Sequence, residues 1–262
     1  MEQKIRVGAV SYLNTKPLLY GIRHSNSLMQ QIEITEDYPA KVAQQLIDST
    51  IDVGLVPVAI IPRLPVHFII SDYCIGTTGE VASVCLFSDV PLQDVTKVLL
   101  DYQSRTSVAL TKLLLKNYWK INPELEDANT DFRSSIKGTT AGVVIGDRAF
   151  EQRLQSKHMY DLGLAWKAYT GLPFVFAAWV ANKPLPDDFI EAFNNANAEG
   201  LRHLDEVIAT LQSPHYDLKM YYTKNMSYNL DEKKREGLKR FLAENAQRMK
   251  QEAERLTLND EH

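Results

Sequence analysis

The chain has 262 residues, of which 45% are hydrophobic and 24% are charged, and its formal net charge is −4 at pH 7. This composition is typical of a folded globular protein with one large domain or two lobes of roughly 100–150 residues each, and it excludes a disordered or collagen-like chain. The mild negative charge argues against nucleic acid or an anionic membrane as the main partner, because both attract a basic surface.

The first part of the chain alternates short apolar runs with helical patterns. Strands are predicted at residues 4–10, 32–35 and 52–61, and helices at residues 15–22 and 39–47. The order strand, helix, strand, helix, strand predicts parallel strands joined by crossover helices. Residues 66–88 then predict two extended runs, separated by a Gly-Thr-Thr-Gly turn.

A second unit of the same kind begins at residue 91. Strands are predicted at residues 97–101 and 141–145 and a helix at 106–118, while residues 122–138 are polar and turn-rich. The apolar run 174–180 returns the chain to the first unit, and the last eighty residues have helical spacing. We therefore predict an α/β protein with a ligand cleft between two lobes, the first formed by residues 1–90 plus 174–262 and the second by the inserted residues 91–173.

We expect a cytoplasmic protein. The charged start leads directly into a predicted strand rather than into a secretory signal. The most apolar run, 172–181, contains Pro173 and is about half as long as the ~20 residues of a membrane helix. Cys74 and Cys85 are too few for a disulfide framework and lack the spacing of a metal site, so we expect free, largely buried thiols in a reducing compartment.

The familiar catalytic and phosphate-binding motifs are absent from the sequence. No Gly-x-Ser-x-Gly elbow, Gly-x-Gly-x-x-Gly fingerprint or Gly-Lys-Ser/Thr loop occurs, and the six histidines form no short-range pair suited to a metal. Residues 76–79 and 138–142 are each compatible with an anion cradle or with a plain turn.

Small hydroxyls, amides and one arginine gather where predicted strands end and helices begin. After the first strand, Asn14 and Thr15 either cap a helix or, with the backbone N–H groups, bind a carboxylate. In the later segment Ser-Arg-Thr-Ser at 104–107, Arg105 is either the planar partner of a carboxylate or a surface arginine.

Three further positions have two interpretations each. Ser83 interrupts an apolar strand, either as a site hydroxyl or as a satisfied core hydroxyl. Asp147, beside Arg148 at a strand end, is either a site carboxylate or part of a local ion pair, which is the favoured interpretation. Thr170 opens a turn that leads into a buried strand, where it is a candidate ligand donor between the lobes.

Taken together and in this order, these segments resemble the chorismate dehydratases of the futalosine pathway to menaquinone. The matching segments are 10–15, 79–84, 104–107, 146–148 and 166–174, and the resemblance spans roughly residues 4–250. It implies the type 2 periplasmic-binding-protein fold and a hydro-lyase that converts chorismate to 3-[(1-carboxyvinyl)oxy]benzoate and water. The opening Ser-Tyr-Leu-Asn-Thr differs from the Ser-Pro-Cys-Pro-Asn-Asp type of the sister 1,4-dihydroxy-6-naphthoate synthases, and Lys16 stands where many relatives carry an apolar residue.

The resemblance implicates Asn14 and Ser83 in catalysis. The candidate substrate-binding residues are Ser11, Tyr12, Ser104, Arg105, Thr106, Ser107, Asp147, Thr170 and Gly171. Of these, Arg105, Thr106 and Ser107 are expected to clamp a substrate carboxylate together with backbone N–H groups. Because the product is aromatic, we expect neither a metal nor a redox cofactor. Asn14 is a poor proton acceptor, so either it orients a water or the leaving hydroxyl, or the enolpyruvyl carboxylate of the substrate takes the proton.

Three alternatives remain open at this stage. A non-catalytic solute-binding protein for a small carboxylate would use the same cleft without turnover, and the lack of an export signal argues against it. The sister synthase and a cytoplasmic ligand-sensing domain are the others, the latter weakened by the lack of a DNA-binding segment. We expect chorismate as the partner, no nucleic acid, no membrane, and a monomer or a weak homodimer.

Overall fold

The protein is described here from a computed structural model that covers residues 4–260, with side chains through residue 254. Within that range its strands form two five-stranded sheets. The strands are β1 (Ile5–Val10), β2 (Ile32–Asp37), β3 (Val53–Pro57), β4 (Phe68–Thr77), β5 (Val84–Ser88), β6 (Lys97–Leu100), β7 (Glu124–Asp127), β8 (Thr140–Ile145), β9 (His158–Asp161) and β10 (Phe174–Ala181).

Helices cover both sheets. The α-helices of the described residues are α1 (Lys16–His24), α2 (Asn26–Gln31), α3 (Pro39–Ile47), α4 (Thr106–Leu113), α5 (Arg148–Gln152), α6 (Leu162–Thr170), α7 (Asp187–Arg202), α8 (Leu204–Ala209), α9 (Leu218–Met220) and α10 (Glu232–Asp260). Two of them continue as π-helical turns, α4 into Leu114–Trp119 and α9 into Tyr221–Asn225. None of the described helices is long and apolar enough to span a membrane.

The first sheet has the strand order β2-β1-β3-β10-β4. β1 is parallel to β2 and β3, which confirms the predicted crossovers, and β10 returns antiparallel between β3 and β4, as the run 174–180 predicted. The prediction of one strand over 52–61 is wrong in its second half, where a 3-10 helix runs over Val58–Arg63. Pro57 and Pro62 lack the N–H that a sheet ladder requires, so the strand cannot continue through them.

The second sheet has the strand order β7-β6-β8-β5-β9. β5 pairs antiparallel with β8 and β9, so the chain changes sheet between β4 and β5 and the predicted boundary at residue 90 is corrected to before residue 84. Apolar runs alone do not reveal which sheet a strand joins. β7 lies within the segment predicted as turns, because its exposed, acidic sequence Glu-Leu-Glu-Asp lacks the apolar signal of a strand.

The polypeptide after α9 returns to the edge of the first sheet. Ser227 N–H donates to the Gly76 carbonyl at 2.8 Å, and Cys74 N–H donates to the Tyr228 carbonyl at 2.7 Å. Both cysteines are free and buried, as predicted. These bonds fix the segment around Tyr228 against β4, close to where the two sheets meet.

Candidate functional site

A narrow cleft with a cavity volume of about 40 Å³ lies between the two sheets. The carboxyl ends of β1, β3 and β8 and the amino end of α4 meet there, which is where ligands bind in open α/β sheets. Its polar lining side chains are those of Tyr12, Asn14, Ser104, Thr106 and Ser107, and the rest of the lining is apolar or glycine. Since none of these lining side chains is charged, an anion in this cleft has to be held by hydrogen-bond donors and by the helix N-terminus.

The amino end of α4 supplies three of the hydroxyls that line the cleft. Ser104, Thr106 and Ser107 are all buried, and Ser107 N–H donates to Ser104 Oγ at 3.0 Å. Ala59 N–H, which follows β3 of the first sheet, donates to Thr106 Oγ1 at 3.2 Å. Arg105 is exposed, and its side chain forms no hydrogen bond or ion pair with any described residue. The structure therefore brings the three hydroxyls into the cleft but leaves Arg105 outside its lining.

Asn14 sits in a 3-10 turn, Leu13–Thr15, between β1 and α1. Its side chain lines the cleft, and its Oδ1 accepts a hydrogen bond from Thr15 Oγ1 at 3.1 Å. Two tyrosines from the C-terminal segment donate hydrogen bonds to backbone carbonyls of this turn. Tyr222 donates to the Leu13 carbonyl at 2.7 Å, and Tyr228 donates to the Asn14 carbonyl at 2.8 Å.

Asp147 follows β8 and reaches the same turn from the second sheet. Its carboxylate accepts a hydrogen bond from Leu13 N–H, and it does not line the cleft. Burial raises the pKa of Asp147, although the Leu13 N–H and the nearby Lys16 partly offset this. The local ion pair at this corner belongs to Arg148, which donates to the fully buried Asp101 at 2.6 Å. Asp147 thus binds backbone, and the favoured ion-pair interpretation is wrong for it.

Tyr12 forms the wall where the two sheets approach each other. Its hydroxyl donates to Gln103 Oε1, and its ring lies against Gly146 at the end of β8. A Cβ atom on Gly146 would lie 2.7 Å from that ring, and the φ of Gly146 is +66°. Burial raises the pKa of Tyr12, so its hydroxyl stays protonated and keeps its hydrogen bond to Gln103.

Ser83 is fully buried just before β5, and it lies between two lining residues, Val81 and Val84. Its Oγ is 2.8 Å from the hydroxyl of Tyr221. The preceding Ala82 has a left-handed φ of 64° and is held there by Asp161, whose carboxylate accepts from Ala82 N–H at 2.7 Å. Ser83 therefore sits beside the cleft as a satisfied hydroxyl rather than on its surface.

Besides Ser83, Arg105 and Asp147, three further predicted site residues lie outside the cleft lining. Ser11 is exposed, and its N–H donates to the Asp37 carbonyl at 3.0 Å. Thr170 Oγ1 donates to the Trp166 carbonyl at 2.8 Å, and Gly171 ends α6 with φ +77°. Thr170 and Gly171 thus terminate a helix that the sequence analysis did not predict.

Sequence reasoning missed the tyrosines behind the two candidate catalytic residues, namely Tyr221, Tyr222 and Tyr228. All three are buried, and burial raises the pKa of each. The available signal was their clustering in one short segment, although nothing local pairs that segment with Asn14 or Ser83. Among the described residues, no group of three or more His, Cys, Asp or Glu side chains is placed to hold a metal ion.

Comparison with known proteins gives a family and a named relative. The profile of a family described as menaquinone biosynthesis matches residues 5–247. A chorismate dehydratase from Thermus thermophilus is 29% identical over 260 residues, covering 90% of this chain and 93% of the relative.

Two solved structures share the architecture. A protein from Archaeoglobus fulgidus superposes with a TM-score of 0.72 at 17% identity, covering 94% of this chain and 97% of its own. A Candida albicans protein described as having the generic periplasmic binding protein fold superposes with a TM-score of 0.62 at 15% identity, covering 94% and 90%. The predicted periplasmic-binding-protein-like fold is confirmed.

Proposed function

Because the chain belongs to the menaquinone biosynthesis family, we propose that it is a chorismate dehydratase that converts chorismate to 3-[(1-carboxyvinyl)oxy]benzoate and water. One observation carries the proposal: an uncharged cleft, lined by Asn14 and by the hydroxyls at the amino end of α4, lies between the two sheets. The near full-length similarity to a chorismate dehydratase supports it.

The chemistry demands a site of this kind. Chorismate carries a ring carboxylate, an enolpyruvyl carboxylate and a ring hydroxyl. A proton leaves the ether-bearing ring carbon and hydroxide leaves the adjacent carbon, so one water is released and the ring becomes aromatic. The departing proton is acidic because the ring diene passes the developing negative charge to the ring carboxylate. Donors that stabilise charge on that carboxylate therefore lower the barrier.

The amino end of α4 is the carboxylate site in this proposal. Ser104, Thr106 and Ser107 present hydroxyls there, and the positive end of the helix dipole favours an anion. Arg105 lies between these residues in sequence, and its side chain has no partner among the described residues, so we assign it to a substrate carboxylate when the lobes close.

In this proposal Asn14 and Ser83 act beside the reacting carbons. The Asn14 amide lines the cleft and orients the leaving hydroxyl or a water. Because an amide is not a base, the proton passes to water or to the enolpyruvyl carboxylate of the substrate. Ser83 lies one residue from the lining Val84, and its hydroxyl already has a partner in Tyr221.

The setting of the enzyme is part of the same proposal. We assign it to the futalosine pathway and to the cytoplasm, where the two free, buried thiols are compatible with a reducing compartment. We further propose that it works without a metal or cofactor, as a monomer or a weak homodimer.

Turnover of chorismate tests the function. Purified protein is incubated with chorismate, and the benzoate product is followed by its absorbance and by chromatography. Turnover is expected, and kcat is expected to fall about 10²-fold or more in Asn14→Ala and in Ser83→Ala. Ser88→Ala is the control, since Ser88 is a buried serine at the far end of β5 whose hydroxyl bonds, within the described part of the chain, to the Val90 backbone.

Each contrary outcome has a distinct meaning. Binding of chorismate without product formation would identify a solute-binding protein instead of an enzyme. Near-normal rates in both Asn14→Ala and Ser83→Ala would overturn the site assignment while leaving the activity intact.

A further inference from the structure

A single turn of the chain contacts both candidate catalytic segments. The π-helical turn Tyr221–Asn225 presents two consecutive tyrosines in different directions. The hydroxyl of Tyr221 is 2.8 Å from Ser83 Oγ, and the hydroxyl of Tyr222 donates to the Leu13 carbonyl at 2.7 Å. π-Helical turns are rare and occur frequently at functional sites.

A third tyrosine completes the arrangement from an anchored position. Tyr228 donates to the Asn14 carbonyl at 2.8 Å. Its own carbonyl accepts from Cys74 N–H of β4 at 2.7 Å, so its backbone is tied to the first sheet. The turn that carries Asn14 is thereby fixed to the sheet through a buried side chain.

The hydroxyl groups of these three tyrosines are buried together with their rings. The exposed fractions of Tyr221, Tyr222 and Tyr228 are 0%, 3% and 7%. Phenylalanine would fill the same space without burying a polar atom, and a buried hydroxyl is tolerated only when it is hydrogen-bonded. The hydroxyl of Tyr221 bonds to Ser83, that of Tyr228 to Asn14, and that of Tyr222 to Leu13, the residue before Asn14. All three bonds therefore fall on Ser83 or on the turn that carries Asn14.

We infer that Tyr221, Tyr222 and Tyr228 are positioning residues, which fix the Asn14 amide and the Ser83 hydroxyl relative to each other for the dehydration. The inference rests on the proposed function. These tyrosines do not line the cleft, so they act through Asn14 and Ser83 and affect kcat more than KM.

Single Tyr→Phe variants test this with a matched control. Tyr221→Phe, Tyr222→Phe and Tyr228→Phe are compared with Tyr160→Phe, which loses a hydroxyl bond of 2.8 Å to Leu92 N–H away from the cleft. We expect kcat to fall about tenfold or more in the first three with KM changed less than about twofold, because small misplacements of reacting groups are costly. The Tyr160→Phe variant keeps its rate.

Double variants separate positioning from general support of the fold. In the Asn14→Ala background, Tyr228→Phe is expected to lower kcat no further, because the bond to the residue 14 carbonyl then has no side-chain amide left to position. In the Ser83→Ala background the same holds for Tyr221→Phe. Where the background rate is too low to measure, the comparison of single variants decides.

The inference and its premise fail in different ways. Unchanged kcat in the three variants, or an equal loss in Tyr160→Phe, would overturn the positioning role while wild-type turnover continues. The same fold-loss in the Asn14→Ala background as in the wild type would also overturn it. Absence of any wild-type turnover would instead overturn the proposed function.

Discussion

The carboxylate of Asp147 and the backbone N–H of Leu13 form a hydrogen bond between the two walls of the cleft, with nitrogen–oxygen distances of 3.0 and 3.3 Å. Leu13 follows β1 of the first sheet, and Asp147 follows β8 of the second. Since Asn14 is the next residue along the chain, this bond couples the approach of the two sheets to the placement of its amide.

Comparing Asp147→Ala with Asp147→Asn should separate the effect of the hydrogen bond to Leu13 from the effect of the negative charge of Asp147. In Asp147→Ala the Leu13 N–H loses its partner, and we expect kcat to fall and the free energy of unfolding to drop by about 1–3 kcal/mol. Asp147→Asn keeps an acceptor oxygen and should retain most of the activity. Steady-state kinetics and urea unfolding measure both effects. Equal losses in the two variants would mean that the charge of Asp147, and not its hydrogen bond, matters.

Gly146→Ala should disturb Tyr12 specifically. A Cβ atom there lies 2.7 Å from the Tyr12 ring, and the φ of +66° is unfavourable for alanine. Gly138→Ala is the control, because Gly138 has a φ of +59° and nothing within 4 Å of its added Cβ. Both variants should bear the cost of a left-handed alanine, and Gly146→Ala should lose more stability because its Cβ also meets the Tyr12 ring. Only Gly146→Ala should raise the KM for chorismate, by about tenfold. An unchanged KM would remove Tyr12 from the substrate-binding wall.

Local patterns sufficed to predict part of the cleft lining. Tyr12, Asn14 and the hydroxyls of 104–107 were predicted because each follows a strand and precedes a helix, and such positions converge at one edge of parallel sheets. Asp161 and Gly171 cap α6 at its two ends, so the sequence also held the signals for this helix, of which we predicted only the turn that follows at residues 170–174.

Local patterns could not predict the hydrogen bonds that the tyrosines make to the Asn14 turn and to Ser83. The Tyr222 and Tyr228 hydroxyls meet residues that lie 209 and 214 positions away along the chain. Whether Ser83 faces the cleft or Tyr221 depends on the left-handed backbone of Ala82, which no residue type at that position signals. Arg105 was favoured for its charge, but exposure is set by the orientation of α4 and not by residue type.

The crossing of α1 and α7 tolerates no side chain at Gly21. A Cβ atom on Gly21 would lie 1.8 Å from the Ala196 carbonyl oxygen, and that neighbour is backbone, so the helices must separate. We expect Gly21→Ala to lower the free energy of unfolding by about 3 kcal/mol or more, at or above the usual cost of overpacking. Gly79→Ala, where the added Cβ meets nothing within 4 Å, should change it by less than about 0.5 kcal/mol. Urea unfolding distinguishes the two, and a small effect at Gly21 would contradict this close helix packing.

Asp52 should make stability fall in acid. Burial alone would raise its pKa, but hydrogen bonds from Arg6 and the ammonium of Lys183 hold the pKa well below its usual range. As the pH falls below about 4, Asp52 binds a proton in the unfolded chain but stays ionised in the folded protein, so unfolding becomes more favourable. Urea unfolding between pH 6 and 3 should therefore show a shallower acid loss for Asp52→Asn than for the wild type. Parallel curves would rule out this contribution.

Asp161 should control Ser83 through the backbone. Its two oxygens accept from Val81, Ala82 and Leu164 N–H groups, with distances of 2.7–3.1 Å. In Asp161→Asn one oxygen becomes an amide donor that faces a backbone donor in either orientation, which should cost about 1–3 kcal/mol of unfolding free energy. Without that bond the left-handed Ala82 is free to relax, so kcat should fall as well.

A second helix cap provides the control for Asp161. Asp217 caps α9 by accepting from Met220 N–H at 3.0 Å and is exposed, so Asp217→Asn should leave stability and kcat nearly unchanged.

Burial raises the pKa of Asp161, against the lowering effect of its N–H donors, so the folded chain keeps this proton to higher pH than the unfolded chain does. The wild type should accordingly lose some unfolding free energy as the pH rises above the ordinary aspartate value of about 4, a loss that Asp161→Asn should lack. If Asp161→Asn lost stability at unchanged kcat, Asp161 would support the fold of this corner without setting Ser83.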